Sequence, residues 1–259
     1  MLALIAGTGD LPAALLAALP QRPLVCALTG FDPVVAPDVT FRIEHLGSFL
    51  ADLKARGVTQ VCMAGAVQRP PVDPAAIDAA TMPLVPVMMA AMGKGDDGAL
   101  RGFITILEQH GFKVVAAQDV APDLLPDAGV LTGTLTEQAQ VDARSGEATV
   151  AQMGAQDQGQ ACVIGGDVLA REDRAGTDAM LVELGQAAGA LLFKGPKPDQ
   201  DRRADLPVIG PATAQHAVDA GLAGIVIEAG GVMVLNLPRV VATLAAAGLF
   251  LWVRPKGDA

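Results

Sequence analysis

Short apolar runs punctuate the chain at residues 2–6, 23–28, 60–65 and 113–117, bounded by glycine, proline or charged positions. Runs of this length without alternation read as strands buried on both faces. Between them, 46–56 and 99–109 repeat apolar positions at the spacing of an amphipathic helix. Strands alternating with helices, and lacking hairpin signals, predict a parallel, doubly wound sheet. A second series follows, with apolar runs at 161–164, 190–193, 224–228 and 249–253 and helical patterns at 177–188, 212–220 and 238–247. Pro122, Pro126, Gly129 and Gly133 cluster between the two series. The expected organisation is therefore a Rossmann-like α/β domain over 1–125, a linker over 126–135 and a second α/β domain over 136–259. A polar, glutamine-rich stretch at 136–158 reads as one long amphipathic helix, with a break expected near Gly146.

Composition narrows the classes of function. Hydrophobic residues make up 51% of the 259 positions, so a sizeable core is assured, but aromatics are 3% and tyrosine is absent. With a formal charge of −10 and no aromatic stacking platforms, nucleic acid is not an expected partner. No apolar run reaches the roughly 18–20 residues of a spanning helix, and the nearest, 240–253, is broken by Gly248. The amino terminus has no basic region before its apolar run, so a signal peptide is not indicated and the cytoplasm is the expected location. Cys26, Cys62 and Cys162 stand singly in apolar contexts, as inert core thiols do.

The densest chemistry lies between Lys194 and Pro207, where Lys194, Lys197, Arg202 and Arg203 interleave with Asp199, Asp201 and Asp205 among prolines. Cations beside carboxylates on a stiffened loop suit phosphate or phosphate–metal chemistry; a solvated hairpin of alternating charge is the plain alternative. Gly7-Thr8-Gly9-Asp10-Leu11-Pro12 follows a strand and opens a helix, the context of a phosphate-binding turn, although Pro12 stands where the dinucleotide fingerprint wants glycine. Asp10 is the expected N-cap of that helix. Gly65-Ala66-Val67 follows another buried strand, so Gly9, Gly65 and Gly93 are expected to face one crevice. Gly93-Lys94-Gly95-Asp96-Asp97 lacks the spacing of a Walker loop and leaves a glycine-rich turn with Asp97 as N-cap or ligand. Thr177 and Asp178, just before a helix, either cap it or hydrogen-bond a sugar or phosphate. His45, His110 and His216 have no partner at metal spacing. Met88, Met89 and Met92 line either an acyl chamber or plain core.

The ordered set Gly7-x-Gly9-Asp10-x-Pro12, Gly93-Lys94-Gly95-Asp96-Asp97, Gly176-Thr177-Asp178, Lys194-x-x-Lys197-Pro198-x-Gln200-Asp201-x-Arg203-x-Asp205-x-Pro207-x-Ile209-Gly210 and Glu228-Ala229-Gly230 resembles the LpxI family. These are UDP-2,3-diacylglucosamine pyrophosphatases of lipid A biosynthesis. The resemblance runs over nearly the whole chain and is most specific from Lys194 to Gly210. It implies a Rossmann-like N-terminal domain, a family-specific C-terminal α/β domain and a substrate held between them. It further implies hydrolysis to UMP and 2,3-diacylglucosamine 1-phosphate, with water attacking the β-phosphorus and Mg²⁺ as cofactor. The catalytic aspartate is then Asp205 or Asp201, either of which would bind the metal or orient the water; Asp205 is favoured because Asp-Leu-Pro opens the next strand. Lys194, Lys197 and Arg203 would supply cations, with Gly9, Asp10, Gly65, Ala66, Val67, Lys94, Asp97, Thr177 and Asp178 contacting substrate. A homodimer and peripheral contact with the inner membrane are also implied. The rival readings are a nucleotide-sugar or NAD-dependent oxidoreductase using the Gly7 turn, and a non-catalytic nucleotide-lipid carrier.

Overall fold

The computed structural model describes residues 1–67, 70–93, 95–156, 158–198, 201–203 and 205–256, without the side chains at 92 and 95–97. The chain divides into two units, Met1–Pro122 with Asp201–Asp205, and Asp123–Gln200 with Leu206–Ala259. A five-residue segment thus leaves the sequence of the second unit and groups with the first.

The first unit runs β1 (Leu2–Ala6), α1 (Leu11–Ala18), β2 (Leu24–Leu28), β3 (Val39–Phe41), α2 (Leu46–Ala55), β4 (Gln60–Ala64), α3 (Val85–Met92), α4 (Gly95–Gln109), β5 (Lys113–Val115) and α5 (Ala117–Val120). Every pairing is parallel and the strand order is β3-β2-β1-β4-β5, the doubly wound sheet that the pattern predicts. Alternate strand residues serve opposite faces. Ala3, Ile5, Cys26, Leu28, Val61 and Met63 pack with Leu46, Phe49, Leu50 and Leu53 of α2 and Ile104 and Leu107 of α4. The intervening Leu4, Val25 and Cys62 are buried as well. Phe41 and Phe49 stack face to face with ring centroids 3.9 Å apart. Val87 and Met88 of α3 pack against this core, which supports the core reading of that helix, while Met89 is exposed.

The long connection after β4 is pinned by buried Glu44. Its carboxylate takes Arg42 through two bonds of 3.2 Å and the Asp73 N–H at 3.0 Å. The Arg42 hydrogen bonds, first among these, hold its carboxyl well below the usual range, at about 2. Cys26, Cys62 and Cys162 are buried, and burial pushes each thiol up to about 12, as expected of inert core cysteines.

The second unit runs β6 (Gly129–Thr132), α6 (Glu137–Ala155), β7 (Ala161–Gly165), β8 (Asp167–Arg171), α7 (Thr177–Leu184), β9 (Leu191–Lys194), β10 (Val208–Ile209), α8 (Pro211–Asp219), β11 (Gly224–Glu228), β12 (Met233–Val234), α9 (Leu237–Ala246) and β13 (Phe250–Arg254). Its main sheet has the order β6-β13-β11-β9-β7-β8. β9, β11 and β13 are parallel, whereas β6 and β7 run against their neighbours and β8 runs against β7. β10 and β12 form a separate parallel pair. Leu191, Phe193, Val226 and Phe250 share a core with α6, and Leu192, Ile225, Ile227 and Leu251 share one with the opposite face.

Four features differ from the expected pattern. α6 is unbroken at Gly146, because that glycine serves packing: a Cβ there would lie 2.5 Å from Phe193 Cβ. α7 ends at Leu184, four residues early, where Gly185 takes φ 67°. A hairpin joins β7 to β8 through Gly165-Gly166, with Gly166 at φ 77°. β6 also forms inside the segment expected to be linker.

Candidate functional site

Sheet topology brings together the loops after β1 and β4. In the order β3-β2-β1-β4-β5 the connections diverge between these two strands, and a ligand crevice is expected at their carboxyl ends. The loops zip together: Thr8 N–H donates to Ala66 O at 2.9 Å, Ala66 N–H returns to Thr8 O at 3.0 Å, and Thr8 Oγ1 adds a bond to Ala66 O at 3.1 Å. A Cβ on Gly7 would lie 2.5 Å from Ala66 O, and one on Gly65 would lie 2.6 Å from Thr8 O. These two glycines therefore permit the two loops to approach each other closely. Gly9 differs, since at φ 89° it has nothing within 4 Å of where a Cβ would stand, so its backbone is open. Asp10 occupies the N-cap position of α1 but makes no side-chain cap bond, and Pro12 sits in the first turn as expected.

This division of labour has a measurable result. Gly65→Ala combines positive-φ strain with a clash against backbone and is expected to lower unfolding free energy by about 2–4 kcal/mol. Gly9→Ala carries strain alone and should cost about 1–2 kcal/mol. Urea denaturation of the two variants checks the order; equal losses would mean the zipped loops part freely.

Segment 201–205 holds a second cluster. Arg203 clamps Asp201 from its own loop, Nε to Oδ1 at 3.0 Å and Nη2 to Oδ2 at 2.7 Å, with its backbone N–H on Oδ1 at 3.1 Å. Arg203 Nη1 reaches Glu108 Oε1 of α4 at 2.6 Å. Gln118 Nε2 donates to Arg202 O at 3.2 Å. The Arg203 hydrogen bonds hold the Asp201 carboxyl below its ordinary range, and the same pairing raises the guanidinium. Asp201 therefore has both oxygens committed. Asp205, half-buried, donates its N–H to Asp201 O at 3.3 Å.

In the second unit, β8, β9, β11 and β13 all end at one sheet edge, where β7 begins. Lys194, the last residue of β9, is buried there. Its Nζ donates to Thr177 Oγ1 at 2.5 Å, Thr177 donates onward to Glu172 Oε1 at 2.5 Å, and Nζ lies 3.6 Å from that same carboxylate oxygen. Glu172 Oε2 also accepts the Gln160 N–H. Thr177 and Asp178 do not cap α7: Gly176 is the N-cap residue, at φ 91°, and Asp178 accepts from Thr213 Oγ1 at 2.7 Å, tying α7 to α8. The Lys197 stem lies against the end of α6, 3.2 Å from where a Cβ on Gly154 would stand. At the far end of the same edge Arg254 donates to Glu147 Oε2 at 2.6 Å.

The remaining sequence candidates fall elsewhere. Asp97 lies inside the first turn of α4, which starts at Gly95, so it is not the N-cap, and its side chain lies outside the described residues, as does Lys94. Gly93 sits at the turn from α3 to α4 and not at a strand end. His110, just past the end of α4, pairs its Nδ1 with Ile106 O of that helix at 2.8 Å. Glu172 and Glu108 were missed as partners of the basic residues, because each is remote in sequence from the cation it holds.

Among the described residues, no three or more His, Cys, Asp or Glu side chains converge as metal ligands. Mg²⁺ needs no such cage, since it takes one or two carboxylates and completes its shell with water and substrate phosphates. Asp205 and Asp201 are carboxylates of the type that donor set uses, and both Asp201 oxygens are engaged by Arg203.

Comparison with known proteins covers both units. The LpxI N-terminal domain model matches residues 1–124, and the LpxI C-terminal domain model matches residues 127–252. The UDP-2,3-diacylglucosamine pyrophosphatase LpxI of Caulobacter vibrioides is 35% identical, over 96% of this chain and 96% of that protein.

Proposed function

The chain belongs to the LpxI family, and from that premise we propose that it hydrolyses UDP-2,3-diacylglucosamine to UMP and 2,3-diacylglucosamine 1-phosphate in lipid A biosynthesis. The observation that carries this reading is the similarity to the Caulobacter pyrophosphatase, which extends over nearly the full length of both chains.

Water adds to the β-phosphorus, the bond from that phosphorus to the bridging oxygen breaks, and UMP leaves with the bridging oxygen. The water proton passes to a carboxylate, a role we give to Asp205, which with Leu206 and Pro207 leads directly into β10. Arg203 holds that segment in shape rather than meeting phosphate. Lys194, its ammonium fixed by Thr177 and Glu172, is the cation we assign to the second unit for charge on a phosphate. The open backbone at Gly9, at the start of α1, suits a phosphate oxygen. Mg²⁺ held by Asp205 would neutralise charge on the two phosphates when bound. The acyl chains of the substrate place the reaction at a membrane surface, and no described helix is long and apolar enough to cross one.

Incubation with UDP-2,3-diacylglucosamine and Mg²⁺ in ¹⁸O-water tests the reading. Label in the sugar phosphate is expected. Label in UMP would move the attack to the α-phosphorus, and intact bound substrate without turnover would make the protein a carrier.

A further inference from the structure

The turn that carries Asp205 is closed on itself. Asp201 accepts the Arg203 backbone N–H and two guanidinium bonds, and the Asp205 N–H returns to Asp201 O at 3.3 Å. The first unit also holds this turn from outside. Glu108 meets Arg203, but the two side chains are 46% and 40% exposed, so water and salt screen the pair and its hold is weak. Gln118 makes a different attachment, its Nε2 donating to Arg202 O at 3.2 Å from a partly buried position. Among the described residues Gln118 Oε1 finds no donor, although that atom is shielded from solvent. Turning the amide round would set its oxygen against the Arg202 carbonyl, so the bond made by Nε2 dictates how the side chain lies.

The base from which Gln118 reaches is firm. It lies in α5, where Ala117 and the flanking Ala116 and Ala121 are buried and the Ala121 N–H bonds Ala117 O at 2.9 Å. α5 packs against β4 and α1. β5 runs parallel to β4, and β4 to β1, so α5 stands at the same carboxyl edge as the loops that carry Gly9 and Gly65. Gln118 thus fastens the middle of the Asp205 turn to the edge where the crevice of the first unit is expected.

We propose that Gln118 is a positioning residue for the hydrolysis, acting through Asp205: its bond to Arg202 O sets where that carboxylate stands. The inference rests on the pyrophosphatase reading and on the role given there to Asp205. It goes further by assigning a task to a residue of the first domain that belongs to none of the motifs considered above. Placement acts steeply on rate, since a displacement of about 1 Å at a reacting group costs about a hundredfold. The Arg203 clamp keeps the turn in its own shape, so losing the Gln118 bond moves the carboxylate without dissolving the turn.

Steady-state hydrolysis of UDP-2,3-diacylglucosamine by the full-length protein tests it, with Gln118→Met, Asp205→Asn and their double variant compared beside thermal melts. Gln118→Met keeps the approximate length of the side chain and removes the donor. It should lower kcat about 10–100-fold while KM stays within about threefold of wild type. The isosteric Gln118→Glu sets a carboxylate against the Arg202 carbonyl and should lose at least as much. In the Asp205→Asn background, Gln118→Met should cost less than about threefold more, because the carboxylate it positions is already gone. Losses that multiply in the double variant would overturn the proposal, as would a Gln118→Met protein that melts early yet turns over at the wild-type rate; either result makes the residue structural only. If the wild type hydrolyses the substrate and Asp205→Asn is equally fast, the assignment of Asp205 fails first and takes this inference with it. Absence of hydrolysis by the wild type would instead overturn the pyrophosphatase reading on which both rest.

Discussion

Lys194→Met is expected to destabilise the second unit by about 3–5 kcal/mol, the loss typical of breaking a buried ion pair from one side. Lys194 is 7% exposed and Glu172 is 9% exposed, so the carboxylate left behind has little water to turn to. Three donors converge on Glu172 or on its partner Thr177, namely the Gln160 N–H, the Thr177 hydroxyl and the ammonium itself, and the variant removes the only positive charge among them. The double variant Lys194→Met/Glu172→Gln removes both charges and should recover much of that loss. Urea unfolding of the two single variants and the double variant measures the coupling directly. Turnover then separates structure from chemistry. If Lys194 meets phosphate, the double variant regains stability and stays inactive. A loss below about 1 kcal/mol in Lys194→Met would sink the description of this pair as buried and mutually dependent.

Asp205→Asn should reduce kcat by about 10²–10⁴, the usual contribution of a positioned general base. Asp201→Asn should behave differently. It weakens the Arg203 clamp, and with it the tie to Glu108, so its main effect falls on stability, and kcat should stay within about tenfold of wild type. Asparagine preserves the shape of each side chain, which makes the comparison one of charge alone. Steady-state rates beside thermal melts of both variants decide the matter. The reverse ranking, with Asp201 essential and Asp205 tolerant, would transfer the catalytic role to the clamped carboxylate.

Both domains were legible because their strands are buried on two faces and so appear as unbroken apolar runs; Leu191, Leu192 and Phe193 fill cores on opposite sides of one sheet. β3, β10 and β12 span only two or three residues, too few to print a pattern, and their existence depends on the neighbour that completes them. Glycine was read as punctuation, which failed at Gly146, where its lack of a side chain admits the Phe193 ring. It was also read as ligand approach, and at Gly7 and Gly65 the structure adds a second use, the close pairing of the loops after β1 and β4. The candidate site was legible as residue types but not as partnerships. Thr177 and Lys194 are 17 positions apart, and Arg203 and Glu108 are 95 apart, so only the fold reveals which charge each one answers.

The grouping of Asp201–Asp205 with the first unit bears on any attempt to treat the halves as exchangeable parts. A fragment cut at the family boundary, ending at residue 124, would keep Glu108 and Gln118 yet lose Arg203 and the Arg202 carbonyl that they hold. Swapping either half for that of a distant relative would join a latch from one ancestor to a catch from another. Segment and helix are thus bound to change together over descent, although the sequence between them belongs to a different module.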